Sequence, residues 1–233
     1  MFPSSFYWTM CEMGLYTLGF HYVFKNVFHF EKELFEKYSV NMMRSAMCLY
    51  FSLQGIHMIQ DVWSDKCIQD ETRLIRYQEI HYPFLSYFVF DTVLMFYQRY
   101  LQIEKRIRYD LLMHHGLAMT ALLFIEKYNL YGLSVLMMIS EGMSVVSGMK
   151  LICMDFGYHQ WIKPIVKYRY WYILVGRMMI LWPMMLYYYY EVTNGCEKYK
   201  EDRNMLLMVG LLIMIYHADI RWMNNAKKEL QRI

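Results

Sequence analysis

Charge is scarce in this chain, and so is any patterned cysteine. Charged residues make up 19% of its 233 positions, below the roughly 25% usual for soluble domains. The net charge of +3 is small, and no dense basic block offers the footprint that nucleic-acid binding requires, so that class is set aside. The five cysteines, Cys11, Cys48, Cys67, Cys153 and Cys196, are scattered and odd in number. No CxxC or Cys/His spacing marks a zinc site, and no disulfide framework is implied. Cys11, Cys48 and Cys153 fall in apolar stretches and read as packing residues. Internal repeats, low-complexity tracts and Gly/Ser linkers are missing too, which leaves no second domain to separate. The opening MFPSSFYWTMCEMG has no positive n-region and no small-residue cleavage site. It reads as an uncleaved first span, not a signal peptide.

What the chain has in abundance is apolar and amphipathic surface. Hydrophobic residues reach 57%, with 23 Tyr and 23 Met. The mean hydropathy of +0.12 understates this, because tyrosine scores as polar yet favours membrane interfaces. Methionine adds flexible apolar filling with little hydropathy. A membrane helix needs about 20 mainly apolar residues. Seven stretches meet that description, near 6–28, 40–60, 83–101, 109–126, 130–153, 170–190 and 204–222. The fifth and sixth are the clearest, and Pro183 is expected to kink the sixth. A soluble all-helical protein is the alternative, disfavoured because several consecutive stretches lack a polar face. The expected fold class is therefore an all-α integral membrane bundle or barrel of about 6–7 transmembrane helices, arranged as an N-terminal helix and connection over 1–39 followed by one domain over 40–230.

Loop charge sets the orientation. With the C-terminus in the cytosol, the cytosolic loops hold Lys32, Lys37, Arg99, Lys105, Arg106, Arg108, Lys163, Lys167, Arg169, Lys227, Lys228 and Arg232. The opposite loops hold Lys66, Arg73, Arg76, Lys127, Lys198, Lys200 and Arg203. The excess predicts the N-terminus outside and the C-terminus cytosolic. The acidic connection DVWSDKCIQDE then lies on the far side.

Ionisable residues inside such spans are costly and by default mark a site facing the bundle interior. Asp110 and His114 are four apart and share a helix face. A carboxylate so placed can hold one imidazole nitrogen as a donor and leave the other as an acceptor. His115, rotated by about 100°, faces a neighbouring helix or the same cavity from its side. Adjacent histidines on a helix chelate one metal poorly, so no metal site is expected. Asp91, Glu141, Arg177, His217 and Asp219 are the other polar residues expected to line the interior, although Asp219 could equally lie at the membrane interface beside Arg221. Arg177 could instead form a structural ion pair with Asp91, Glu141 or Asp219, and both imidazoles could serve as polar glue between helices. His21 and His57 read as packing or interface residues.

The order of these features, NMMRSAMCLYFSLQG, SYFVFDTVLMF, YDLLMHHGLAMTALLF, SEGMSVVSGMKLI, Arg177 and then YHADIRWMNNAKKEL, resembles the TLC domain of TRAM, Lag1 and CLN8 proteins over about 40–230. The third-span aspartate and the His-His pair after an aspartate are the most specific points. The resemblance implies a multi-pass protein of the endoplasmic reticulum that handles membrane lipids, alone, as a homo-oligomer or with membrane-protein partners. It places His114, His115, Asp110 and Asp91 as catalytic candidates, and Glu141, Arg177, His217 and Asp219 as substrate-binding ones. Ceramide synthases of the family use acyl-CoA as co-substrate, whose phosphates Lys105, Arg106 and Arg108 could attract; no bound cofactor is implied. Those enzymes carry an acidic pair after the histidines, where this chain has only Asp155 in CMDFGYH. The SEGMSVVSGMKLI segment is nearer to the small TLC-domain proteins linked to lipid homeostasis. Lipid binding or sensing in an intramembrane cavity is thus the expected function, with ceramide-synthase-like N-acyl transfer through His114 and His115 as the alternative.

Overall fold

The computed structural model describes residues 2–64, 66–68, 70–101, 109–199 and 205–232. Helices α1 (Ser4–Asn26), α2 (Lys32–Ser64), α3 (Glu71–Tyr100) and α4 (Tyr109–Tyr128) come first. Then follow α5 (Tyr131–Ser140), α6 (Met143–Asp155), α7 (His159–Trp171), a π-helical stretch Tyr172–Leu181, α8 (Trp182–Gly195) and α9 (Met205–Arg232). No strand occurs among the described residues, so the chain is all-α. Two segments, Tyr131–Asp155 and Met205–Arg232, are long and apolar enough to cross a membrane by length and composition. The other expected spans are helical too, but their apolar runs are interrupted by the polar residues discussed below.

Cross-chain contacts show how the rods alternate. At one end Lys37 Nζ donates to Asp155 Oδ2 at 2.7 Å, and Lys150 pairs with Glu229. This joins the start of α2 to the end of α6, and α6 to the end of α9. At the other end Lys66 Nζ meets Glu191 Oε2 at 2.6 Å, and Tyr199 donates to the carbonyl of Tyr128. Successive rods therefore run antiparallel, which short connections between helices favour. Asp70 caps α3 by accepting from the Thr72 amide at 2.9 Å, satisfying one of the orphan donors of that helix start.

The axis of the bundle is α5. Nine of its ten residues, Tyr131 to Met138 and Ser140, are buried. A helix that is apolar all round belongs in the middle of a fold, and α5 packs against α2, α3, α4 and α8. Close approach to α2 is possible at Gly55, where an added Cβ would lie 2.8 Å from the Val135 carbonyl oxygen.

The fifth expected span is one rod in sequence but two helices in space. It breaks at Glu141 and Gly142. A break orphans carbonyls, which must find donors. Ser52 Oγ donates to Met138 O at 3.1 Å and Tyr172 Oη donates to Ile139 O at 3.0 Å. Gly142 leaves room for them, since a Cβ there would sit 3.0 Å from the Tyr172 hydroxyl and 3.1 Å from Ser52 Oγ.

Pro183 has a second outcome. The turn preceding it is wound wide, and the Trp182 amide donates to the carbonyl of Arg177, five residues back. Proline supplies no amide and crowds the carbonyl four residues earlier; a π-helical stretch accommodates both within the rod.

The cysteine spacing implied no disulfide framework, yet Cys67 and Cys196 form a disulfide between the α2–α3 connection and the end of α8. They are 129 residues apart in sequence, and only the antiparallel return of α8 beside α2 brings them together. Cys11 is exposed instead of packed, whereas Cys48 is buried as expected.

Candidate functional site

The polar residues that the sequence scatters over five rods converge in the half of the bundle nearer to the Lys37–Asp155 end. Asp91 of α3 is 1% exposed, His115 of α4 2%, His114 5%, and Asp219 of α9 0%. Each has a reason to tolerate burial, because buried charges persist where they are paired.

Three linked groups make up the site. In the first, Arg44 Nε pairs with Asp91 Oδ1, and His115 Nε2 lies 3.6 Å from Asp91 Oδ2. The Thr92 hydroxyl donates to Phe88 O at 2.7 Å and lies 3.1 Å from His115 Nδ1, which orients the ring. In the second, His114 Nε2 lies 3.7 Å from Glu141 Oε1. Glu141 stands at the break between α5 and α6. Its other oxygen faces the Cys48 thiol at 4.0 Å, and that thiol is 3.1 Å from the Tyr87 hydroxyl. In the third, Arg177 Nη2 is 2.9 Å from Asp219 Oδ1, while Trp182 Nε1 donates to Asp219 Oδ2 at 2.8 Å.

These groups surround a chamber of about 220 Å³ bordered by Arg44, Asp91, His114, His115, Glu141 and Arg177. Ser147, Leu151 and Arg169 extend its lining along α6 and α7. A small cavity of about 20 Å³ adjoins it between His114, Glu141, Arg177 and Asp219, a size for about one water molecule. His114 Nδ1, Arg44 Nη2 and Arg177 Nε are buried without a hydrogen-bond partner among the described residues. Unsatisfied buried donors and acceptors are uncommon in folded proteins and invite a ligand or solvent explanation.

Outside this network, the Lys37–Asp155 contact guards the same end. Tyr38 Oη also donates to Asp155 Oδ2, at 2.6 Å. Partial burial alone would raise the Asp155 carboxyl, but the hydrogen bonds from Lys37 and Tyr38 and the lysine charge hold it below its ordinary value. The Tyr38 hydroxyl is pushed up, by burial first and by the bonded carboxylate second. Phe24, Phe30 and Phe156 pack around Tyr38 with tilted rings, closing the clasp.

Of the residues selected from the sequence, His114, His115, Asp91, Glu141, Arg177 and Asp219 are brought together. Asp110, expected to orient His114 from one turn earlier, is exposed; the carboxylate beside His114 is Glu141. His217 is also exposed and lines an outer groove with Asp110. Lys105, Arg106 and Arg108 lie outside the described residues. Among the described residues no three His, Cys, Asp or Glu side chains are grouped to hold a metal ion. Sequence reasoning missed Arg44, Cys48, Tyr87, Trp182 and Trp222. Arg44 had a signal, a lone arginine near the start of an apolar stretch; the rest are aromatic or thiol side chains in apolar surroundings with nothing to mark them.

Comparison of the chain with protein-family models, with curated proteins and with solved structures found no match in any of the three.

Proposed function

We propose that the chain is a multi-pass TLC-type membrane protein that binds or senses a lipid in an intramembrane chamber and so acts in lipid homeostasis. The observation that carries this reading is an inversion of polarity. Paired charges and imidazoles surround the inner chamber, while large apolar side chains face outward along most rods, among them Trp8, Leu18, Leu53, Val93, Leu206 and Ile213. Soluble proteins seldom expose contiguous apolar surface on this scale, whereas a bilayer rewards it. Every rod except the 20-residue α4 and α1 exceeds 24 residues when α5–α6 and α7–α8 are counted as continuous, ample for a hydrocarbon core of about 30 Å at 1.5 Å per residue.

The disulfide supports the orientation read from loop charge. Cys67 and Cys196 lie at the end opposite Lys150, Arg169 and Lys227, and disulfides persist on the oxidising side of a membrane. The proposed location is the endoplasmic reticulum membrane with the C-terminus in the cytosol.

A second reading has its own observation. His114 offers a buried, unpartnered Nδ1 while its Nε2 faces Glu141, the arrangement of a base or nucleophile oriented by a carboxylate. An N-acyltransferase would use it on an acyl-CoA thioester, with a lipid amine as acceptor and the thiol of CoA as leaving group. A chamber of about 220 Å³ falls below the roughly 300–1,000 Å³ of sites for drug-sized ligands, so the CoA moiety itself would stay outside it.

Lipid analysis separates the two. Cells lacking their own ceramide synthases would express either the intact chain or His114→Ala/His115→Ala at matched protein levels. A shift in phospholipid acyl composition without ceramide, lost in the variant, supports lipid homeostasis. Ceramide that returns with the intact chain and vanishes with the variant supports acyl transfer. Unchanged lipids in both arms overturn both readings.

A further inference from the structure

A second cavity lies outside the chamber, between α4 and α9. This groove measures about 600 Å³ and is lined by Met113 and Leu117 on α4 and by Ile213 and Met214 on α9, with Asp110, His217, Arg221 and Asn225 at its other end. The helices run antiparallel, so the two halves of the groove are sorted by depth. Leu117, Ile213 and Met214 sit toward the middle of the rods; Asp110, Arg221 and Asn225 sit toward the Lys37–Asp155 end. From Ile213 to Asn225 the α9 wall is roughly 18 Å long at 1.5 Å per residue, a little over half of the roughly 30 Å hydrocarbon core, or one leaflet. The apolar walls are open: Met113 is 65% exposed and Ile213 60%.

The groove and the chamber share a wall. His114 lines the groove, the chamber and the small cavity beside Asp219. The Trp222 ring, which borders both groove and chamber, packs on the His114 imidazole with centroids 4.8 Å apart. The Arg177 guanidinium carbon lies 5.7 Å from the same ring's centroid. Trp222 therefore touches both an imidazole and a guanidinium on the wall that groove and chamber share.

We propose that the α4–α9 groove is a lateral binding site for one acyl chain of a phospholipid in the leaflet at the Lys37–Asp155 end, with Trp222 as the gate between that site and the polar chamber. The inference rests on the membrane reading above and adds the route. Three features select this occupant. The length of the groove matches one leaflet. Its polar end presents a guanidinium, Arg221, complementary to a phosphate. The groove and the chamber share His114 and Trp222 as lining.

The test uses the full-length protein in detergent with a diazirine-bearing phosphatidylcholine, followed by peptide mapping of the photo-adducts. Adducts on Met113–Leu117 and Ile213–Ala218 peptides that saturate and are displaced by unlabelled phosphatidylcholine are expected. Leu117→Trp/Ile213→Trp, which fills the groove, should reduce them about tenfold, the factor that about 1.4 kcal/mol of lost binding gives. Adducts on the outward face of α1, around Leu15 and Leu18, report non-specific lipid and should not change. Trp222→Ala should add adducts on chamber peptides of α6, around Ser147. Groove adducts that fail to saturate, that match α1 in density, or that persist in the filled variant would overturn the proposal. Saturable adducts confined to Ser147 and Leu151 would overturn the lateral route while leaving lipid binding in the chamber intact, so the two readings fail separately.

Discussion

The two ends of the bundle are built by different chemistry. The end near Cys67 and Cys196 is closed by a covalent bond, by Lys66–Glu191 at 2.6 Å, and by aromatic packing of Trp63 against Tyr187 and Tyr188. Its buried polar pair, His81 Nδ1 and Ser134 Oγ at 3.1 Å, adjoins the Tyr77–Tyr131 ring stack and borders none of the described cavities. The other end holds three carboxylates, three arginines and two imidazoles around open volume. Both ends bury histidine. Only one leaves it beside carboxylates and space, which is why a buried histidine alone says little and its neighbours say a great deal.

Substitutions can break that contrast, and the largest effect is expected at the polar end. Asp219→Ala removes the partner of Arg177 and the acceptor of Trp182 Nε1. It should destabilise the protein by about 3–5 kcal/mol, the cost of a buried charge left alone. The double variant Arg177→Met/Asp219→Leu should recover most of that loss, because an ion pair replaced by packed apolar groups is close to neutral. Thermal unfolding of the purified protein in detergent measures both, and a single variant as stable as the double one would contradict the pairing.

At the stapled end, Cys67→Ser/Cys196→Ser should cost about 2–5 kcal/mol. Reducing agent should lower the melting temperature of the intact protein and leave that of the variant unchanged. Identical melting curves with and without reductant would remove the disulfide from the account.

Glycine substitutions sharpen the comparison further. At Gly132 an added Cβ would lie 2.4 Å from the Tyr188 ring, and at Gly148 it would lie 2.5 Å from Ser45 Oγ. The ring is wedged between elements of the rigid end, whereas a serine hydroxyl can rotate. Gly132→Ala should therefore cost about 1–3 kcal/mol by overpacking, and Gly148→Ala distinctly less. The reverse order, read from the same melting experiment, would mean that the chamber wall is the less yielding of the two.

The smallest effect belongs to pH. The Asp155 carboxyl is held below its ordinary value in the fold. A lowered carboxyl contributes stability that is complete above its unfolded value and is lost as pH falls through the folded one. The Lys37–Asp155 clasp should thus weaken only below about pH 4, and its partly exposed pair is worth roughly 1 kcal/mol or less. Lys37→Met should flatten the melting-temperature profile across that acid range; an unchanged profile would assign the acid loss to other carboxylates.

Much of the architecture was legible because apolar periodicity acts locally. The helical stretches, the interior placement of Asp91, Glu141 and Arg177, and the burial of both histidines follow from polar residues lying in long apolar runs, whereas Asp219 read equally well as an interface residue. Pairings were not legible. Asp110 shares a helix face with His114, yet it stays exposed in the outer groove, and the carboxylate that meets His114 comes from another rod. Glu141 reaches His114 through a break in a stretch that reads as one continuous span, and the donors that tolerate the break, Ser52 and Tyr172, come from other rods. Arg44, near the start of its span, gave no sign that it would pair with Asp91.

By itself the sequence determined that this protein is helical, that its helices are mostly apolar, and that a small set of charges must be buried, since those properties depend on neighbours within a turn or two. Tertiary structure alone decided which carboxylate meets which imidazole, that Cys67 meets Cys196 across 129 residues, and that His114 stands where three cavities meet. Those outcomes depend on the register of antiparallel rods, which is settled by packing between segments far apart in the chain.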